Sequence, residues 1–83
     1  MKEKKKIESI LILIINELKD YKNLDVDTDI VDDLNFDSLE IINLLVIVED
    51  KFDMEFDGDD MVLENVRTIG LLSGLVIKQL DKR

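Results

Sequence analysis

The chain has 83 residues, 46% of them hydrophobic, and a formal charge of −9; that length holds one small core and one domain, residues 1–83. Without Cys or His, it has no disulfide, no thiolate or imidazole metal ligand and no imidazole base. Residues 20–64 carry sixteen Asp or Glu against Lys22 and Lys51, a field that repels nucleic-acid phosphates and suits basic protein surfaces.

The opening Lys2, Lys4, Lys5 and Lys6, followed by the apolar stretch 7–15, has the outline of a secretion signal. Glu8 and Ser9 interrupt that stretch, no small-residue cleavage site follows, and the run is too short to span a bilayer. It reads instead as the first helix of a cytoplasmic, monomeric protein with no membrane association. Ile7, Ile10, Leu11, Ile14, Ile15 and Leu18 recur at the three-four spacing of a buried stripe, which predicts a helix from about Lys4 to Tyr21. Ile12 and Leu13 fall outside the stripe, as they would if the helix were widely wrapped.

Residues 22–37 form a long acidic connection carrying Leu24, Val26, Ile30, Val31 and Leu34. A connection of this length in a small domain is usually functional or contains a helical turn. Its spaced apolar residues predict that it is pinned across the bundle.

Three signals agree on where the second helix starts. Asp37 is a good N-cap, Glu40 completes a capping box, and Phe36 and Ile41 occupy the positions of a hydrophobic staple. Ser38 is then the first helical residue, and the helix runs to about Phe52. Wound at about 100° per residue, it turns Ile41, Leu44, Leu45, Val48 and Phe52 inward. Glu40, Asn43, Asp50 and Lys51 fall on the outward side, with Ile47 in their midst and Leu39 and Val46 flanking. An apolar residue at that place hints at a partner surface.

The cluster at 57–60 is a turn, after which Met61 to Asn65 make a short helix. Thr68 caps the last helix, with Ile69, Leu72, Val76 and Leu80 toward the core. Gly70 and Gly74 inside it each cost about 1 kcal/mol relative to Ala, unless a neighbouring helix packs where the side chain is missing. Composition and period together predict an all-α fold: a small four-helix bundle, three helices longer and one short, with a long loop between the first two.

Residues 53–58, with Glu64 at the twelfth position, approach a calcium loop of the EF-hand type. Glu55 replaces a short acid, Asp60 stands where an apolar residue belongs, and the following long helix is missing. No metal site is assigned. The chain offers no phosphate-cradling Gly loop and no basic patch interleaved with aromatics.

The segment Asp33-Leu34-Asn35-Phe36-Asp37-Ser38-Leu39-Glu40 places a hydroxyl at the exposed start of a helix just after a long loop. On local physics alone it is an ordinary cap. Together with Ile30-Val31-Asp32 before it, Val48-Glu49-Asp50-Lys51-Phe52 beyond it and Glu64-Asn65-Val66-Arg67-Thr68-Ile69 downstream, it resembles the signature of the acyl carrier protein family. That family's pattern is D-L-G-x-D-S-L-[DE]; Asn35 stands where its Gly is usual, and Asn tolerates a left-handed backbone.

The resemblance implies that Ser38, flanked by Asp37 and Leu39, bears a phosphopantetheine arm donated by coenzyme A through a phosphopantetheinyl transferase. A loading ligase or transferase would then charge the arm with an acyl or aminoacyl thioester for synthase and tailoring enzymes. By the same resemblance the protein is a non-catalytic carrier in fatty-acid, polyketide or peptide-type synthesis. Its partner face would be the second helix, here Leu39, Glu40, Asn43, Val46, Ile47 and Asp50. That face is more apolar than in carriers of fatty-acid synthesis, as a dedicated partner set would require, and Asp37 inclines the reading toward acyl cargo. Ile41, Leu45 and Val48 would line a shelter for a bound chain. The alternative is a calcium-binding or plain protein-interaction bundle without a covalent arm.

Overall fold

The computed structural model describes residues 2–19 and 23–82. Four helices follow one another: α1 (Lys2–Leu18), α2 (Ser38–Phe52), α3 (Leu63–Val66) and α4 (Ile69–Asp81), with a 3-10 turn at Gly58–Asp60. The expected bundle of three longer helices and one short one is therefore present. Among the described residues there is no strand, only a single bridge between Asp29 and Thr68. No described helix is long and apolar enough to cross a membrane.

α1 buries Ile7, Leu11, Ile14 and Ile15, the stripe its spacing predicts, with Ile10 and Leu18 packed at its margin. The wide wrapping reaches Ile12, which is half-buried, but not Leu13, which is 64% exposed. The helix starts before Lys4 and ends at Leu18; its expected end at Tyr21 and the Lys22 that opens the connection lie outside the described residues. α2 and α4 close the core over α1 with Leu44, Val48, Ile69, Leu72 and Val76, all fully or almost fully buried.

The long connection is pinned, as expected, and its residues 29–35 make a tight helical turn. The N–H groups of Asp33 and Leu34 donate to the Asp29 carbonyl, and that of Asn35 donates to Val31. Ile30, Leu34 and Phe36 anchor it in the core. Asn35 ends the turn at φ 59°, the left-handed conformation that Gly or Asn takes most readily at such a stop. Farther back, the Val26 carbonyl accepts the Gly70 N–H at 2.8 Å. A Cβ on Gly70 would lie 3.1 Å from that carbonyl oxygen, whereas one on Gly74 would meet nothing within 4 Å. At Gly70 a loop, not a helix, packs where the side chain is missing, and Gly74 faces open space.

The third helix is shorter and later than the expected 61–65. Met61 closes the turn Gly58–Asp60, its N–H on the Gly58 carbonyl, and Val62 is the extended residue that precedes the helix.

Candidate functional site

The first turn of α2 is held by reciprocal bonds. The Asp37 carboxylate accepts the Glu40 N–H at 2.8 Å, and the Glu40 carboxylate accepts the Asp37 N–H at 2.9 Å. The capping box is complete, so two helix-end donors are satisfied and the backbone direction at residue 38 is fixed. Ser38, the next residue, is exposed. Its hydroxyl stands at the positive end of the α2 dipole.

Beside Ser38 opens a cleft of about 410 Å³ between α2 and the α3 segment. Phe36, Ile41 and Leu45 form one side, and Met61, Val62, Leu63 and Val66 the other, with Val31 and Ile42 at its margins. Of the expected lining, Ile41 and Leu45 are in place; Val48 is buried in the core and does not reach the cleft. A hollow of about 520 Å³ at the other end of α2 is larger. It is ringed by Glu49, Asp50, Asp53 and Glu55 beside Val46 and Met54, so of the two the Ser38 cleft better suits hydrocarbon.

The outward stripe of α2 is Leu39, Ile42, Asn43, Val46 and Asp50, all exposed. Leu39 is 76% exposed, and Ile42 and Val46 are each 55% exposed. Two placements differ from the helical-wheel expectation. Ile47 is half-buried and packs against the core, and Ile42, which the expected face left out, stands in the open. Burial sets the rotation: Ile47 packs on the core beside Leu44, Leu45 and Val48, and Glu40, one helical repeat before it, lies on the same side, where its carboxylate meets Lys19 just past the end of α1 at 2.5 Å.

Lys19 also stands 5.0 Å from the centre of the Phe36 ring, a cation–π distance. Its ammonium, and then the Asp37 N–H, hold the Glu40 carboxyl below the usual carboxylate range.

A second polar centre ties the connection before Ser38 to the α3–α4 junction. Arg67 Nε and Nη2 donate to Asp29 at 2.7 Å and Asp32 at 2.9 Å, and the Ile30 N–H donates to the Arg67 carbonyl at 2.7 Å. Asp29 also accepts the N–H groups of Val31 and Asp32. The Asp32 N–H, followed by the Arg67 guanidinium, lowers the Asp29 carboxyl. Neither Lys19 nor Arg67 was legible as a site residue. Their partners lie far along the chain, and no local spacing marks such pairs.

The acidic stretch 53–64 does not form the alternating ligand set of a calcium loop. Asp53 is the left-handed C-cap of α2, Asp57 pairs with Lys82, Asp60 pairs with Lys78, and Glu64 sits in α3. Among the described residues no three carboxylates converge as metal ligands.

An exposed hydroxyl at a helix tip that opens onto an apolar cleft fits a phosphodiester-linked arm. The first-turn N–H groups and the dipole favour the phosphate, and the cleft favours what a long arm carries. Comparison with known proteins agrees. Residues 8–76 match the family model described as "Phosphopantetheine attachment site". The chain is similar to the acyl carrier protein of Chlamydia trachomatis serovar D, with 37% identity over 62 residues, 75% of this chain and 73% of that one. The acyl carrier protein of Chlamydia felis is 31% identical over 64 residues, 76% of this chain and 80% of its own. That of Syntrophobacter fumaroxidans is 34% identical over 61 residues, covering 72% and 73%. The chain belongs to the acyl carrier protein family, and its cofactor is covalently attached 4′-phosphopantetheine.

Proposed function

We propose that Ser38 is the attachment point of the arm, and that the protein carries acyl or aminoacyl intermediates as thioesters between the enzymes of fatty-acid, polyketide or peptide-type synthesis. The observation that carries this reading is the exposure of Ser38 at the N-terminal tip of α2, beside the apolar cleft. When bound, the arm supplies the thiol that a chain without Cys lacks.

The chain's own residues present, orient and shelter. Asp37 and Glu40 hold the helix tip, so the attachment oxygen points outward rather than into the core. Ile41, Leu45, Met61 and Leu63 offer hydrocarbon a place out of water, at about 25 cal/mol for each Å² of apolar surface covered. Leu39, Glu40, Ile42, Asn43, Val46 and Asp50 form the face read by the phosphopantetheinyl transferase, the loading enzyme and the synthase or tailoring enzymes. Ser38 has no His to activate it, in keeping with a non-catalytic carrier. The single core shared by all four helices supports taking residues 1–83 as one carrier domain. Its place of action in this reading is the cytoplasm, as a monomer.

Intact-mass measurement after co-expression with a broad phosphopantetheinyl transferase tests the assignment. The wild-type chain should gain the mass of one arm, and Ser38→Ala should gain none. Modification that persists in Ser38→Ala, or no gain beside a transferase active on a control carrier, would overturn it.

A further inference from the structure

Glu40 sits two residues beyond Ser38, on the turn that any enzyme approaching that serine must meet. Its charge does not face outward unopposed. One carboxylate oxygen is occupied by the Asp37 N–H at 2.9 Å and the other by Lys19. Lys19 is held in turn by the Phe36 ring, which is itself buried. The lysine side chain is only 37% exposed, against 54% for Lys78 and 50% for Lys82 in their own ion pairs. It is more enclosed than either of those two lysines. Next to this compensated charge, Leu39, Ile42 and Val46 stand open to solvent.

We propose that Lys19 is a specificity-determining residue: by neutralising Glu40 within the molecule, it makes enzymes read the Ser38 end of α2 through Leu39, Ile42 and Val46 rather than through charge. The inference rests on Ser38 as the attachment point and α2 as the docking face. The physical reasoning is that rim charges act chiefly on encounter rate and partner choice. A basic residue of a partner gains little from a carboxylate that already has a lysine on it. To use Glu40, it must displace Lys19 from both the carboxylate and the ring. An enzyme that docks by apolar contact meets no such obstacle. In a chain of charge −9, the pair discriminates against generic basic partners at the one place where discrimination counts.

The test is the kcat/KM of arm transfer from coenzyme A to the apo protein by a transferase with a basic docking surface. Wild type, Lys19→Gln, Glu40→Gln and the double variant are compared at low salt and at about 0.5 M salt, where screening is strong. Lys19→Gln unmasks an acid and should be faster than wild type by about three- to tenfold at low salt, and Glu40→Gln should be slower by a similar factor. The double variant, locally neutral again, should fall between the two, and the spread should collapse at high salt.

A double variant slower than either single one would make the pair merely structural and overturn the proposal. So would a spread within about twofold, or a Lys19→Gln that is slower than wild type. If Lys19→Gln fails to fold, Glu40→Gln decides, since Gln also completes a capping box: it must be slower at low salt and equal to wild type at high salt. Ser38→Ala is run beside each variant. Transfer that survives it would count against the attachment site, whatever the order of the other rates.

Discussion

The connections on either side of α2 are both rich in Asp and Glu, yet they are held in different proportions by local turns and by distant cations, the first having Arg67 on Asp29 and Asp32 besides its turns. Before α2 the carboxylates bond chiefly the loop's own backbone: Asp25 accepts the Asp27 N–H at 2.8 Å, Asp29 those of Val31 and Asp32, and Asp33 that of Asp29. After α2 they reach outward, with Asp57 and Asp60 tethered to Lys82 and Lys78 of the last helix region. Short acids that close turns freeze little side-chain entropy. A lysine tether freezes a long chain and is screened by salt. The wall of the cleft that bears Ser38 is therefore rigidly specified, and the wall formed by residues 61–66 is the softer one.

The largest expected effect lies in the apolar anchor of the first connection. Ile30 is 1% exposed, and Ile30→Ala should cost about 2–5 kcal/mol in urea unfolding. A loss below about 1 kcal/mol would show that the loop relaxes over the gap, and the contrast between the two connections would weaken.

Next comes the Asp29–Arg67 pair. The folded-state pKa of Asp29 lies below its ordinary 3.8, so the folded chain binds the proton less readily than the unfolded one. The stability it contributes is fully present above that value and is lost as the pH falls through the lower, folded-state value. Arg67→Met should lower stability at neutral pH and flatten the acid limb of the stability curve below about pH 4. An acid limb as steep as that of wild type would show that the loop's own N–H groups, not Arg67, hold the carboxylate.

The two glycines of α4 should respond with opposite signs. Gly74→Ala meets open space and should stabilise the protein by about 0.5–1 kcal/mol. Gly70→Ala would press a methyl group against the Val26 carbonyl oxygen and should destabilise it. Thermal melts of the pair report whether the first connection really lies clamped on α4.

What the sequence made legible divides along the same line. Asp37, Ser38 and Glu40 are neighbours whose cap chemistry is local, and the start of α2 and the placing of Ser38 could be read from them directly. The stripe of α1 was legible because burial there follows a period. The outward face of α2 differs at Ile42 and Ile47, since a wheel counts Glu40 as solvent-facing while its side of the helix packs on the core and meets Lys19, just past the end of α1. Arg67 and the crossing at Gly70 went unread for the same reason. Each depends on partners 35 or more residues away, and no pattern within one element carries that information.

The smallest effect belongs to the lysine tethers, and it is the most direct test of the contrast. Lys78→Gln with Lys82→Gln removes both links from the 3-10 turn and leaves every bond of the first connection in place. The melting temperature should fall slightly at low salt and match wild type in about 0.5 M salt, because exposed pairs are screened there. Amide hydrogen exchange should quicken across residues 57–63 and stay unchanged across 29–36. Equal quickening in both segments would mean that the two connections share one cooperative unit, and the cleft would then open as a whole rather than along its α3 wall.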